Sequence, residues 1–88
     1  MANIETPSRI QVYSRPGCHL CERLIEEITP LLRGRAELEV LNIDSRPDWR
    51  EDYNTRVPVV EMDGRFVCEY RLDRAALDRA LSGADSGP

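Results

Sequence analysis

Two cysteines stand where a strand-like run of the chain gives way to a helix-like run. The stretch Arg15–Cys21 holds Cys18, Cys21, a Pro-Gly turn signal and the single histidine of the chain. Before it, β-forming residues alternate over positions 9–14, which favours a strand. After it, leucine and isoleucine recur at helical spacing over positions 20–32. The junction therefore requires a fold in which a strand is followed at once by a helix, with both thiols at the turn.

The rest of the chain continues the alternation of strand and helix patterns. Pro30 is expected to kink the first helix or to end it one turn early. The helix-sized gap after the first strand favours a parallel βαβ unit. Asp63-Gly64 predicts a two-residue hairpin that makes the last two strands antiparallel. Further strands are predicted at residues 36–43, 57–62 and 65–68, and further helices after Ser45 and Asp73, each expected as an N-cap. This order, β-α-β-α-β-β-α, predicts an α/β fold with a four-stranded mixed sheet and flanking helices.

Length and composition set the domain organisation and exclude several classes of protein. A chain of 88 residues with 41% hydrophobic residues is expected to form one domain, here residues 9–81, with a flexible lead-in at 1–8 and a disordered tail at 82–88. Neither a membrane-spanning run nor a signal peptide is visible, so we expect a cytoplasmic protein that does not act at a membrane. The net charge of −4 argues against a nucleic-acid partner. A monomer is expected.

The spacing of the cysteines predicts a redox couple. A thiol reacts as its thiolate, and a helix N-terminus or a nearby cation lowers its pKa from about 8.5 to ~3.5–7.5. Cys18 is predicted at the helix start, with Arg15 three residues before it. Cys21 lies one turn further along the helix, shielded, and can attack a mixed disulfide on Cys18. We therefore interpret Cys18 as the attacking thiol and Cys21 as the resolving thiol of a redox-active disulfide.

The residues alone leave other interpretations open. The pair could be a structural disulfide, or part of a zinc site, although His19 is poorly placed to join both cysteines around one ion. A third cysteine, Cys68, is interpreted as a core residue, with a further redox site as the alternative. His19 could stabilise the Cys18 thiolate or simply be exposed. A module that binds a metal or an iron–sulfur cluster, and a redox-sensing adaptor, are the alternative functions; we expect no metal site and no tightly bound cofactor.

Val57-Pro58 is the second candidate element. A proline at the opening of a strand is typical of a fixed turn or a cis peptide bond. Together with the upstream cysteines, it predicts a loop opposite Cys18 whose backbone pairs with a substrate peptide as an added strand.

These features together resemble glutaredoxin-like proteins of the thioredoxin-fold superfamily. The residues that carry the resemblance are Arg15–Cys21, Val57-Pro58, the hairpin and the capped last helix, and they span positions 9–81. The resemblance implies a thiol–disulfide oxidoreductase that acts on disulfide-containing proteins or glutathionylated substrates, with glutathione as a possible co-substrate. Glutathione or a reductase would supply the electrons.

The resemblance also implies roles for individual residues. Cys18 would be the nucleophile and Cys21 the resolving cysteine. Arg15 would hold a glutathione carboxylate, and Val57 would pair with the glutathione backbone before a cis Pro58. We expect His19, which lies between the two cysteines, to be a substrate-binding residue as well.

Three departures point to a small glutaredoxin-like branch of the superfamily. The usual Pro-Tyr between the cysteines is His19-Leu20, and the usual threonine before Val-Pro is Arg56, a possible extra anion contact. The usual diglycine falls at Cys68 and Glu69. Side chains at these two positions would crowd glutathione, and the Glu69 carboxylate would repel the carboxylates of glutathione. The fold and dithiol chemistry are therefore expected more firmly than the use of glutathione.

Overall fold

The computed structural model describes residues 8–86. The strands are β1 (Ser8–Ser14), β2 (Ala36–Asn42), β3 (Val59–Met62) and β4 (Arg65–Glu69). The α-helices are α1 (His19–Ile28), α2 (Pro47–Tyr53) and α3 (Arg74–Ser86), and short 3-10 turns follow α1 at Thr29–Leu32 and β2 at Ile43–Ser45. The predicted element order is confirmed.

The four strands form one sheet in the order β2-β1-β3-β4. β1 pairs in parallel with β2 and antiparallel with β3, and β3 pairs antiparallel with β4. The turn between β3 and β4 places both Asp63 and Gly64 at positive φ, as a two-residue hairpin turn requires. The mixed sheet and its flanking helices confirm the predicted thioredoxin-like α/β fold.

The larger core lies between one face of the sheet and helices α1 and α3. Its fully buried centre is formed by Ile10 and Val12 of β1 with Leu24 and Ile28 of α1. The other buried members are Leu32, Val60, Met62, Cys68, Leu77 and Leu81. Alternate residues of the central strands point to this face, because strand side chains alternate between the two faces of a sheet.

A smaller, aromatic core covers the opposite face. Tyr13 stacks on Tyr53 with 4.3 Å between ring centroids and meets Trp49 edge-on at 5.5 Å. Ile43 and Val59 are fully buried in this cluster, and Leu41 and Val57 pack against it. Trp49 and Tyr53 of α2 therefore act as packing residues, and their four-residue spacing places both on one face of the helix.

Some element boundaries follow the sequence prediction and others differ from it. α1 ends at Ile28, one turn early, because Pro30 cannot continue the helical hydrogen bonds, and the expected early end is therefore confirmed. The predicted N-cap Ser45 is wrong: α2 follows Arg46, which makes no side-chain cap hydrogen bond, and Pro47 opens the helix.

At the C-terminal end, Asp73 caps α3 as predicted, with its carboxylate accepting the N–H of Ala76 at 3.0 Å. The helix then continues to Ser86, so the predicted tail at 82–88 begins inside a helix. Of the predicted lead-in, Ser8 belongs to β1, whereas residues 1–7 and 87–88 lie outside the described residues. No helix within residues 8–86 has the length and apolar character that crossing a bilayer requires.

Candidate active site

Cys18 forms the N-cap of α1. The turn that leads to it has Gly17 at φ +78°, a left-handed conformation that glycine adopts without steric cost. The N–H of Cys18 donates to the carbonyl of Arg15 at 3.3 Å, which closes the turn. The Sγ of Cys18 then accepts the N–H of Cys21 at 3.2 Å. This sulfur therefore occupies the position where helices satisfy their unpaired N–H groups and favour negative charge.

Cys18 and Cys21 are joined by a disulfide, with 5.2 Å between their Cα atoms. Cys18 is partly exposed, whereas Cys21 is only 2% exposed and belongs to the buried side of α1. A reagent from solvent therefore meets Cys18 first. This asymmetry is the one that an attacking thiol and a resolving thiol require.

The ends of all four strands bring the other candidate residues to the same edge of the sheet. Tyr13 near the end of β1 pairs with Val59 at the start of β3, and Val59 pairs with Glu69 at the end of β4. The turn after β1 and the Val57-Pro58 segment before β3 consequently lie at one edge. The Val57–Pro58 peptide bond is cis, and the Pro58 carbonyl accepts the N–H of Tyr70 at 2.8 Å.

Arg15 points toward the segments that follow β2 and α2. Its guanidinium donates to a carboxylate oxygen of Asp44 at 3.0 Å and to the carbonyl of Asn54 at 3.5 Å. Asp44 also forms an ion pair with Arg50 at 3.4 Å. The hydrogen bond from Arg15 lowers the pKa of Asp44 below its ordinary value. The cation expected to hold a glutathione carboxylate is thus already bound to a carboxylate of the chain.

Arg56 is engaged in the same way. Its Nε donates to Glu69 at 2.8 Å, and its guanidinium lies 5.5 Å and 5.9 Å from the ring centroids of Tyr53 and Phe66. The Glu69 carboxylate raises the pKa of Arg56. The sequence singled out Arg56 as an anion contact and Glu69 as a repelling group but missed that the two pair. The Asp63-Gly64 hairpin could have indicated this pairing. Counting outward from the turn along both strands places positions 56 and 69 near the same end of the sheet.

Comparisons with known proteins assign this arrangement to a family. Residues 9–82 match the family model described as "Glutaredoxin-like domain (DUF836)". The chain belongs to the glutaredoxin-like domain family. The predicted resemblance is therefore confirmed.

The domain is also similar to individual relatives. It is 30% identical to "Uncharacterized protein Rv0508" of Mycobacterium tuberculosis and to "Uncharacterized protein Mb0520" of Mycobacterium bovis. Each match covers 86% of this chain and 89% of the relative. The solution structure of protein Ne2328 from Nitrosomonas europaea is 38% identical, with a TM-score of 0.77 over 92% of this chain and 99% of that one. The X-ray structure of protein XcR50 from X. campestris is 25% identical, with a TM-score of 0.63 over 90% and 99% of the two chains.

His19 of the glutaredoxin-like domain extends fully into solvent. Its side chain is as exposed as in an isolated residue, and its Nδ1 lies 3.5 Å from a carboxylate oxygen of Glu22. The fold brings Cys18, Cys21, Arg15 and the Val57-Pro58 segment to one edge, but His19 makes no hydrogen bond to either cysteine among the contacts of the described residues.

Cys68, the remaining thiol of the domain, is 6% exposed and packs in the larger core. Burial raises its pKa, which disfavours the reactive thiolate. Its place in β4 agrees with the interpretation as a core residue. Among the side chains described, no three from histidine, cysteine, aspartate and glutamate are grouped closely enough to hold a metal ion.

Proposed function

We propose that this glutaredoxin-like domain is a dithiol–disulfide oxidoreductase that reduces protein disulfides or glutathione mixed disulfides in the cytoplasm. The observation that carries the proposal is the Cys18–Cys21 pair at the start of α1, in which the partly exposed Cys18 accepts a helix N–H at its Sγ. A buried structural disulfide would not need one cysteine partly exposed and supported by a donor. These features support thiol–disulfide exchange as the role of the pair.

The same donor would stabilise the reduced form. In the dithiol state, a Cys18 thiolate would accept the Cys21 N–H and face the positive end of the α1 dipole. Both effects favour the anion, so we expect the Cys18 thiol of the reduced form to ionise more readily than a free cysteine. Because Arg15 is hydrogen-bonded to Asp44, we assign most of this stabilisation to the helix start.

The reaction we propose has two exchange steps. The Cys18 thiolate attacks one sulfur of the substrate disulfide, which forms a mixed disulfide and expels the other substrate sulfur as a thiolate. Cys21 loses its proton to water, attacks the Cys18 sulfur, re-forms the Cys18–Cys21 disulfide and releases the second substrate sulfur. Two electrons pass from the dithiol to the substrate. Glutathione or a reductase then returns two electrons and two protons to the domain.

The neighbouring segment would position the substrate. Val57 precedes the buried, cis Pro58 at the same edge of the sheet as Cys18, and we propose that its backbone pairs with the substrate chain as an added strand. Arg15 and Arg56 are bound to Asp44 and Glu69. Each arginine would contact the substrate only if a substrate group replaced that carboxylate. We propose that the domain works as a monomer without a tightly bound cofactor.

The test compares three cysteine variants with the unaltered chain. Reduction of a model protein disulfide should be lost in Cys18→Ser, and Cys21→Ser should accumulate a mixed disulfide that mass spectrometry detects. Cys68→Ala is the matched control and should keep the activity. Thiolate absorbance at 240 nm should give a Cys18 pKa clearly below about 8.5. A Cys18 pKa at the value of free cysteine, or activity that survives Cys18→Ser, would overturn the proposal.

A further inference from the structure

A groove begins at the two residues between the cysteines and runs along α1. It has a volume of about 620 Å³, and the Tyr70–Leu72 segment forms its opposite wall. His19 and Leu20 line its start, so a chain bound there lies next to the Cys18–Cys21 disulfide in sequence and in space. The proposed reaction does not use this groove.

Large apolar side chains are exposed along the groove. Leu20 is 42% exposed and Tyr70 is 43% exposed, and both line it. Leu24 and Leu72 lie deeper in the same walls and are largely covered by the core. Exposed apolar surface beside a reactive group is typical of a site that binds another chain. The groove can therefore accept an apolar side chain of a polypeptide.

The charges of the groove favour a cationic occupant. Three carboxylates line it, from Glu22, Glu26 and Glu27, against two guanidinium groups, from Arg23 and Arg71. Glu26 and Glu27 are exposed and form no ion pair with any described residue, so both remain available to a ligand. An anionic ligand meets more like charge than opposite charge here, on a chain whose net charge is −4.

The arginines at the neighbouring edge do not offset this field. Arg15 is bound to Asp44, and Arg56 is bound to Glu69 at 2.8 Å. Each guanidinium is thus held by a carboxylate of the same chain, and neither lines the groove, where three carboxylates face two guanidinium groups.

We infer that the groove binds a basic, apolar polypeptide segment of a disulfide-bearing protein, so that the substrates are cationic protein disulfides rather than the anionic glutathione. This inference rests on the proposed function and narrows its substrate class. The substrate segment would place a large apolar side chain against Leu20 and Tyr70 and its arginine or lysine side chains near Glu26 and Glu27.

The test uses two synthetic peptides that share one leucine-containing core and differ only in flanking arginine or glutamate residues. Binding is measured by fluorescence anisotropy with serine in place of the peptide cysteine. Turnover is measured with that cysteine in a disulfide to a small neutral thiol. We expect the arginine peptide to bind and to be reduced about fivefold better, and we expect the preference to shrink in ~1 M salt, where the Debye length is about 3 Å.

Matched variants assign the preference to the groove. Glu26→Gln with Glu27→Gln should remove most of the preference. Glu51→Gln with Asp52→Asn makes the same charge change on the exposed face of α2, outside the groove, and should retain it. Leu20→Ala should weaken binding of both peptides.

The outcomes separate this inference from the proposed function. Equal binding of the two peptides, a preference for the glutamate peptide, or a preference that both double variants retain would overturn the inference. Self-association of the chain that competes with the peptide, detected by sedimentation, would assign the groove to a second copy and overturn it as well. Binding of the arginine peptide without any reduction would instead overturn the proposed function, and the substrate class with it, while the groove would still be a binding site for basic segments.

Discussion

Replacing Glu69 with glutamine removes the negative charge bound to Arg56 while it keeps the size of the side chain. The two groups are 2.8 Å apart, and their side chains remain 30% and 39% exposed. Exposed ion pairs contribute about 0.2–1 kcal/mol, and this short, partly covered pair belongs near the upper end of that range. We expect a loss of about 1 kcal/mol in unfolding free energy, which lowers the melting temperature of a domain this small by about 4–8 °C.

The same substitution should improve activity on a glutathionylated substrate. Arg56 would be released to bind a substrate carboxylate, and the repulsion from Glu69 would disappear. At a partly exposed site such a change is worth about 1 kcal/mol, or roughly a fivefold increase in kcat/KM. Glu69→Gly removes the side chain as well, so a larger gain in that variant would measure the crowding separately from the charge.

The assay follows deglutathionylation of a fluorescent peptide by the unaltered chain and by both variants. Glu51→Gln serves as the control, because it changes the net charge by the same amount on the exposed face of α2. If the unaltered domain is already highly active and neither Glu69 variant improves it, the reasoning about charge and crowding is refuted. An equal gain in the Glu51 control would refute the assignment to this ion pair.

Three further predictions concern stability and titration. The hydrogen bond from Arg15 lowers the pKa of Asp44 in the folded chain. The ionised Asp44 therefore stabilises the fold above pH ~4, and this stabilisation is lost as the pH falls through the pKa of Asp44 in the folded chain. Asp44→Asn should therefore be less stable than the unaltered chain in urea at pH 7, and this difference should shrink below pH ~4; a difference that is constant with pH would contradict it. Leu24→Ala should cost about 2–5 kcal/mol because Leu24 is 1% exposed, whereas Leu20→Ala on the same helix should cost less than about 1 kcal/mol; similar urea midpoints would contradict this. Burial raises the pKa of both Tyr13 and Tyr53, so absorbance at 295 nm should show two tyrosines that ionise above the usual range near pH 10, and Tyr53→Phe should remove one of them. Titration of every tyrosine near pH 10 would count against the burial.

The architecture could be predicted because its determinants are local. Alternation in β1 directs Val12 into the larger core and Tyr13 into the aromatic one, and helical spacing in α1 places Leu24 on the buried side. Pro30 and the Asp63-Gly64 turn act on their own neighbours through fixed backbone geometry. Such signals need no knowledge of distant contacts.

The electrostatic pairing at the site could not be predicted in the same way. Arg15 and Asp44 are 29 positions apart, and Arg56 and Glu69 are 13 apart, so each pair depends on strand order and register. The sequence pattern indicated both arginines as candidate anion contacts but gave no local sign of their carboxylate partners. Both were therefore predicted to be available to a ligand. The early end assigned to α3 has a related cause: small and polar residues favour a tail, yet the helix begun by the Asp73 cap and the buried Leu77 continues through them.

The segment that carries the disulfide follows the buried Tyr13 and ends at the buried Cys21, while positions 19 and 20 are exposed. A combinatorial library restricted to His19 and Leu20 would therefore vary the surroundings of the reactive sulfur with little risk to folding. Selection from such a library for redox potential or for substrate preference could change the chemistry of the domain without redesign of its scaffold.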